Sequence, residues 1–221
     1  MTRFRRFFSY SLLPIFLSSL FIVGLVALPA NADGHSSGYQ PCPNQDAHDF
    51  IFLMDKSGSL ERTDPGEPKS SFENTQRIKA LRKIRDELLG MPDVRVGLIE
   101  FANRAQITRG LLPGELSDSY IEGAATLYTD ELGDDTNYEA ALNLAYDMFE
   151  KAKAEKPERC RVLLFFTDGV NDPVGDWTKN YEKSKEQARE WVDSLPELTK
   201  NLHDLEVQTI AVILLDDTNN Y

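Results

Sequence analysis

The stretch Phe50-Ile51-Phe52-Leu53-Met54-Asp55-Lys56-Ser57-Gly58-Ser59 decides the fold. Its first five residues form an unbroken apolar run, the pattern of a parallel-sheet strand covered on both faces. The chain then switches at once to a carboxylate, a glycine and two hydroxyls at alternate positions. In open α/β sheets, ligands bind beyond the carboxyl ends of the strands, where loops carry polar side chains over a rigid scaffold. Asp55, Ser57 and Ser59 can turn three oxygens toward one point, and hard divalent cations such as Mg2+ take oxygen ligands of this kind. The same residue types also cap helices and open turns. This segment alone leaves both readings standing.

Working outward, the apolar spacing of Ile78, Leu81, Ile84, Leu88 and Leu89 predicts a helix with Arg and Lys on its other face and Gly90 as terminator. Residues 93–101 read as a second strand and 105–109 as a short third. A short helix is expected around Ser119–Leu127. Asn137–Ala154 is the clearest helix, with Ala141, Leu144, Ala145, Met148 and Phe149 on one face. Residues 161–166 repeat the design of strand one and end in Thr167-Asp168-Gly169. A helix over Asn180–Leu195, burying Tyr181, Ala188, Trp191 and Val192, and a fifth strand over 207–215 complete the alternation. Strands alternating with helices predict an α/β protein with a mostly parallel sheet.

Three loops at one sheet edge thus offer Asp55, Ser57, Ser59, Thr136 and Asp168. Taken singly, Asp168 reads as a turn residue and Thr136 as an N-cap. Together, as Asp55-Lys56-Ser57-Gly58-Ser59, Thr136 in Asp-Thr-Asn-Tyr-Glu-Ala-Ala-Leu, and Thr167-Asp168-Gly169, they resemble the von Willebrand factor A-type domain with its metal-ion-dependent adhesion site. The resemblance covers about residues 48–215. It implies a Rossmann-like, doubly wound sheet flanked by helices, with a divalent metal (Mg2+, or Mn2+ or Ca2+) on the top face.

Carried over, Ser57 and Ser59 would bind the ion through their hydroxyls, and Thr136 directly or through water. Asp55 and Asp168 would act mainly through water. With few carboxylates touching it, such an ion keeps an open position for the Asp or Glu of a protein partner, completing the octahedron that Mg2+ demands. The resemblance therefore implies a binding or adhesion module and no enzyme. Two departures stand out. Asp134 and Asp135 occupy the place where the family often has glycine. The family also usually adds a strand and a closing helix after strand five, where this sequence has only Asp216–Tyr221, so an exposed edge is expected there.

The N-terminus reads as a targeting segment. Arg3, Arg5 and Arg6 precede the largely apolar Phe7–Leu28, and Ala30-Asn31-Ala32 offers a small-x-small cleavage site. Residues 1–32 are read as a signal peptide, 33–48 as a lead-in and 49–221 as one domain. An uncleaved anchor is the alternative, because the run is about long enough to span a bilayer. Either way the chain is expected to be secreted, periplasmic or at the cell surface, with a membrane as partner only if the segment stays uncleaved. Without residues 1–32 the chain keeps 21 basic and 36 acidic residues, a net charge of −15. That excludes a nucleic-acid partner, which needs a basic footprint.

Two cysteines, Cys42 and Cys160, read as one disulfide in an oxidising compartment. Both would lie at the N-terminal edge of the sheet if their strands are neighbours. Two unpaired thiols are the other reading.

Enzyme classes find little support. A haloacid-dehalogenase-like phosphatase wants a second Asp where Ser57 stands. The histidines, His35, His48 and His203, offer neither a Ser-His-Asp geometry nor a zinc cluster. No glycine-rich phosphate loop or small-molecule substrate site is apparent. A domain whose metal only staples its loops remains an alternative to adhesion.

Overall fold

The spine of the molecule is β1 (Asn44–Asp55), a strand of twelve residues. The computed structural model describes residues 44–64, 75–126, 132–133, 135–168 and 195–213. Around β1 lie a short helix α1 (Leu60–Thr63), α2 (Gln76–Leu88), β2 (Val94–Phe101), β3 (Ala105–Pro113), α3 (Asp118–Ala125), α4 (Tyr138–Glu155), β4 (Arg159–Thr167) and β5 (Val207–Ile213). Residues 195–204 are also helical. The sheet runs β3-β2-β1-β4-β5. β1 pairs in parallel with β2 and β4, and β4 with β5, while β3 folds back antiparallel on β2. This is the doubly wound, mostly parallel α/β architecture that the alternation predicts.

Successive side chains of a strand point to opposite faces, and β1 shows why its run is continuously apolar. Phe50, Phe52 and Met54 pack on one face with Ile78, Leu81 and Leu88 of α2 and Ile121 and Ala124 of α3. Ile51 and Leu53 pack on the other with Tyr138, Ala141, Leu142, Ala145 and Phe149 of α4. Each fully buried aliphatic or aromatic side chain contributes about 1.5–3 kcal/mol. On this second face α4 comes close because β2 carries Gly97, where an added Cβ would lie 2.8 Å from Met148 Cε. Asn137 caps α4, its side-chain oxygen accepting from the Ala140 N–H at 3.1 Å.

Several expectations need correcting. β1 begins at Asn44, well before residue 49, and β3 reaches Pro113. Leu89, expected on the buried face of α2, is 59% exposed because the helix ends at Leu88. Arg77, expected on the polar face, is fully buried. The helix over Asn180–Leu195 falls, but for its last residue, outside the described residues, as does everything beyond residue 213. Cys160 lies buried beside His48 in register, at the N-terminal end of β4. Cys42 is outside the described residues.

The two sheet edges differ in chemistry. At the N-terminal edge the buried Asp49 accepts from Arg95 through both oxygens, at 2.8 and 2.7 Å, and from Arg159 Nε at 2.6 Å. Arg159 also pairs with Asp93 at 2.6 Å. These charges are mutually satisfied, the condition under which buried ions are tolerated. At the C-terminal edge the polar groups converge instead on a loop.

Candidate metal centre

β1 and β4 run in register up to Met54 and Phe166, so Asp55 and Thr167 stand side by side where the strands end. The Thr167 hydroxyl donates to Asp55 Oδ2 at 2.8 Å, and the Ser57 N–H donates to Asp55 Oδ1 at 2.8 Å. The Tyr138 and Thr167 hydroxyls lie 2.5 Å apart. Since the single Thr167 proton goes to Asp55, the Tyr138 hydroxyl donates in that pair. The first turn of α4 is thereby tied to Asp55.

Beyond Asp55 the chain turns sharply. The Ser57 and Ser59 hydroxyls face each other at 3.0 Å. Ser59 occupies the N-cap position of α1, yet its side chain makes no capping bond. The capping reading of this stretch therefore fails for Ser59, whose hydroxyl is turned toward Ser57 instead. Thr63 closes the circuit, its hydroxyl lying within donating distance of Ser59 O (3.2 Å) and Asp168 Oδ2 (3.0 Å). Asp55, Ser57, Ser59 and Asp168 are thus brought together by one network.

Thr136 reaches the same sheet edge by a different route. It is buried and is held at this edge by its neighbour, whose N–H bonds Ala102 O at 2.8 Å just past the end of β2. The N-cap of α4 is Asn137, so the reading of Thr136 as an N-cap is also set aside. Of the acidic pair ahead of it, Asp135 is half-buried and Asp134 lies outside the described residues.

The electrostatics suit a cation. Burial pushes the Asp55 carboxyl up to about 6, against hydrogen bonds from Ser57 and Thr167 that pull it down, and the nearby Asp168 adds to the rise. Two carboxylates and the hydroxyls beside them form an all-oxygen donor set that fits a hard divalent ion, with the buried Arg77 guanidinium close enough to both carboxylates to interact with them. Among the described residues no group of three or more His, Cys, Asp or Glu is placed to hold a metal. The set here is of another kind, two carboxylates with three hydroxyls.

Sequence reasoning missed the residues that support this set. Thr63, Tyr138 and the hydroxyl of Thr167 carried no signal of their own. Lys56 did, as a charge directly after a buried strand, and so did Glu100, the acid in the otherwise apolar end of β2. They form a buried ion pair at 3.3 Å.

The sequence of residues 50–171 matches the family model described as von Willebrand factor type A domain. That span is more than half of the chain. The chain belongs to this family. A-domains typically serve as interaction modules rather than enzymes and generally bind protein partners. Among curated proteins none matches the sequence.

Solved structures similar to this A-domain include an aerotolerance-related membrane protein from Bacteroides fragilis carrying multiple mutations to serines. It is 23% identical, covering 62% of each chain at a TM-score of 0.41. Another is the conserved hypothetical protein BatB from Bacteroides thetaiotaomicron, 21% identical, covering 73% of this chain and 64% of that one at 0.43. A third is proximal thread matrix protein 1 from the mussel byssus, described with a zinc-occupied MIDAS motif. It is 15% identical and covers 75% of this chain and 37% of that one at 0.47. The A-domain thus spans less than two thirds of each of these chains. Among its described residues no helix is long and apolar enough to cross a membrane.

Proposed function

We propose that this A-domain is an exported protein-binding module that grips an acidic side chain of its partner through a divalent cation, Mg2+ or its near equivalents Mn2+ and Ca2+. In this reading residues 1–32 are a signal segment, and the lead-in expected over 33–48 gives way to the domain at Asn44, where β1 begins. Ser57 and Ser59 hold the ion through their hydroxyls, and Thr136 does so directly or through water. Asp55 and Asp168 hold it mainly through water. The ion supplies an open coordination position for the carboxylate of a partner Asp or Glu. No residue of the site has a catalytic role.

The observation that carries this reading is the pairing of the Ser57 and Ser59 hydroxyls at 3.0 Å beside the buried Asp55. Neither hydroxyl is spent on capping a helix, and both stand beside carboxylates whose nearby cation, the buried Arg77, is engaged with Asp64 and with backbone carbonyls. Asp55 and Asp168 are bound by Thr167, Thr63 and the Ser57 N–H, which fix their orientation as supporting groups around a metal do.

Calorimetric titration of the mature chain with Mg2+ and Mn2+ tests the reading, with Ser57→Ala/Ser59→Ala alongside. Saturable binding by the native chain, lost in the double variant, is expected. Equal binding by both would remove these hydroxyls from the site. A metal that binds natively but leaves an Asp-containing peptide unbound would favour a loop-stapling ion over an adhesive one.

A further inference from the structure

Two buried cations reach from the base of the candidate metal loop to a single helix end. Lys56, between Asp55 and Ser57, extends its ammonium to Gly123 O (2.9 Å) and Thr126 Oγ1 (2.9 Å). Arg77 donates from Nη1 to Asp55 O (2.7 Å) and to Ala124 O (3.2 Å), and from Nη2 to Ala125 O (3.1 Å). Gly123, Ala124 and Ala125 are the last three residues of α3. Gly123 O also accepts from the N–H and the hydroxyl of the C-cap Thr126, at 3.3 and 2.7 Å, while the carbonyls at such a helix end lack the donors that a further turn would supply. Positive charge at a helix C-terminus is also favoured by the helix dipole.

α3 is only eight residues long, too short to be stable alone. Its final turn is therefore held by Lys56 of the metal loop and by Arg77 of α2, which also grips that loop at Asp55 O. Lys56 and Arg77 are 3% and 0% exposed, so water cannot readily replace either of them. Lys56 is held in turn by Glu100, whose other oxygen accepts from Gln106 (3.2 Å) and Thr108 (2.8 Å). The ammonium thus spans a fixed carboxylate on β2 and the end of α3, while its own backbone N–H is bonded to Phe101 O at 2.8 Å.

We propose that the metal loop and the last turn of α3 form one cooperative unit, with Lys56 and Arg77 as its positioning residues, so that occupancy of the metal site stiffens residues 123–126. The inference rests on the metal-site reading above. Ligation at Ser57 and Ser59 fixes the backbone directly after Lys56, Arg77 holds the Asp55 carbonyl directly before it, and the bonds of Lys56 and Arg77 pass that restriction to α3. Ordering of one part lowers the cost of ordering the other. By reciprocity, a partner that docks on the end of α3 tightens metal binding.

Hydrogen exchange of the 123–126 amides, in saturating Mg2+ and in EDTA, reads this link, with Mg2+ calorimetry on the same samples. The native chain is expected to exchange there on the order of fivefold more slowly with Mg2+. Lys56→Met/Glu100→Gln, which neutralises both partners, is expected to lose that added protection and, by the same coupling, to bind Mg2+ on the order of fivefold more weakly, and Lys56→Arg to keep both. Should the double variant not fold, the exposed Thr126→Val carries the comparison, since it removes one anchor of Lys56 from outside the metal loop. Native Mg2+ binding without slowed exchange, or protection that survives loss of the link, overturns the inference and spares the metal site. Absence of Mg2+ binding to the native chain overturns both.

Discussion

The Thr167 hydroxyl donates to Asp55 Oδ2 at 2.8 Å across the seam between β1 and β4. It is the bond by which the central strand pair presents a carboxylate at a fixed angle to the loop beyond. Thr167→Val removes the donor while keeping the shape. It should cost about 1–3 kcal/mol of stability and weaken Mg2+ binding roughly 10- to 100-fold, with Thr167→Ser restoring most of both. Urea unfolding and calorimetry measure the two effects, and a Thr167→Val protein with native affinity would show that this bond does not orient the site.

Asp55 also sets a pH dependence. Burial lifts its carboxyl from 3.8 to about 6, so between those values the folded chain holds a proton that the unfolded chain has lost. Metal-free stability should therefore fall as pH rises through that window, by on the order of 3 kcal/mol in total from this group, and level off above it. Mg2+ affinity should run the opposite way, rising with pH until Asp55 is ionised. Unfolding in EDTA at intervals from pH 4 to 7 checks the first trend, and Asp55→Asn should lack this contribution.

At the far edge of the sheet, Asp49 lies between Arg95 and Arg159 with no exposure to solvent. Asp49→Ala leaves both guanidiniums without their buried partner and should destabilise the fold by about 3–5 kcal/mol. Six residues of strand, about 20 Å, separate it from Asp55. Mg2+ affinity of the folded fraction should accordingly stay within about twofold of native, as calorimetry under stabilising conditions would register.

Gly133 adopts a φ of +78°, and an added Cβ would stand 2.8 Å from Asn103 Cβ. The Asn103 carbonyl in turn accepts from the Asn137 side chain at 3.2 Å, next to Thr136. Gly133→Ala should cost about 1–3 kcal/mol, seen as a lowered thermal midpoint. An unchanged midpoint would mean that this turn relaxes freely.

Much of this was legible because local pattern and global fold agree. The run Phe50–Met54 is apolar at every position since helices cover both faces of β1, and no other arrangement explains it as simply. Asp55, Ser57, Ser59 and Asp168 could be grouped because parallel strands bring successive loops to one edge. Arg77 could not be placed, because a cation beside Ile78 looks like the solvent face of an amphipathic helix. Only the tertiary fold reveals the backbone carbonyls of Asp55, Ala124 and Ala125 waiting for it. Leu89 misled for the opposite reason, since the apolar spacing continued one residue past the helix end. The supporting roles of Thr63 and Tyr138 depend on contacts between segments far apart in sequence, which spacing does not encode.

The most direct test of the central claim is an anomalous difference map from crystals of residues 33–221 grown with Mn2+. The account predicts one peak at the C-terminal edge of β1 and β4, about 2 Å from both the Ser57 and Ser59 hydroxyl oxygens, with Asp55 and Asp168 on its flanks. A peak bound elsewhere, or none from crystals holding ample Mn2+, would contradict it.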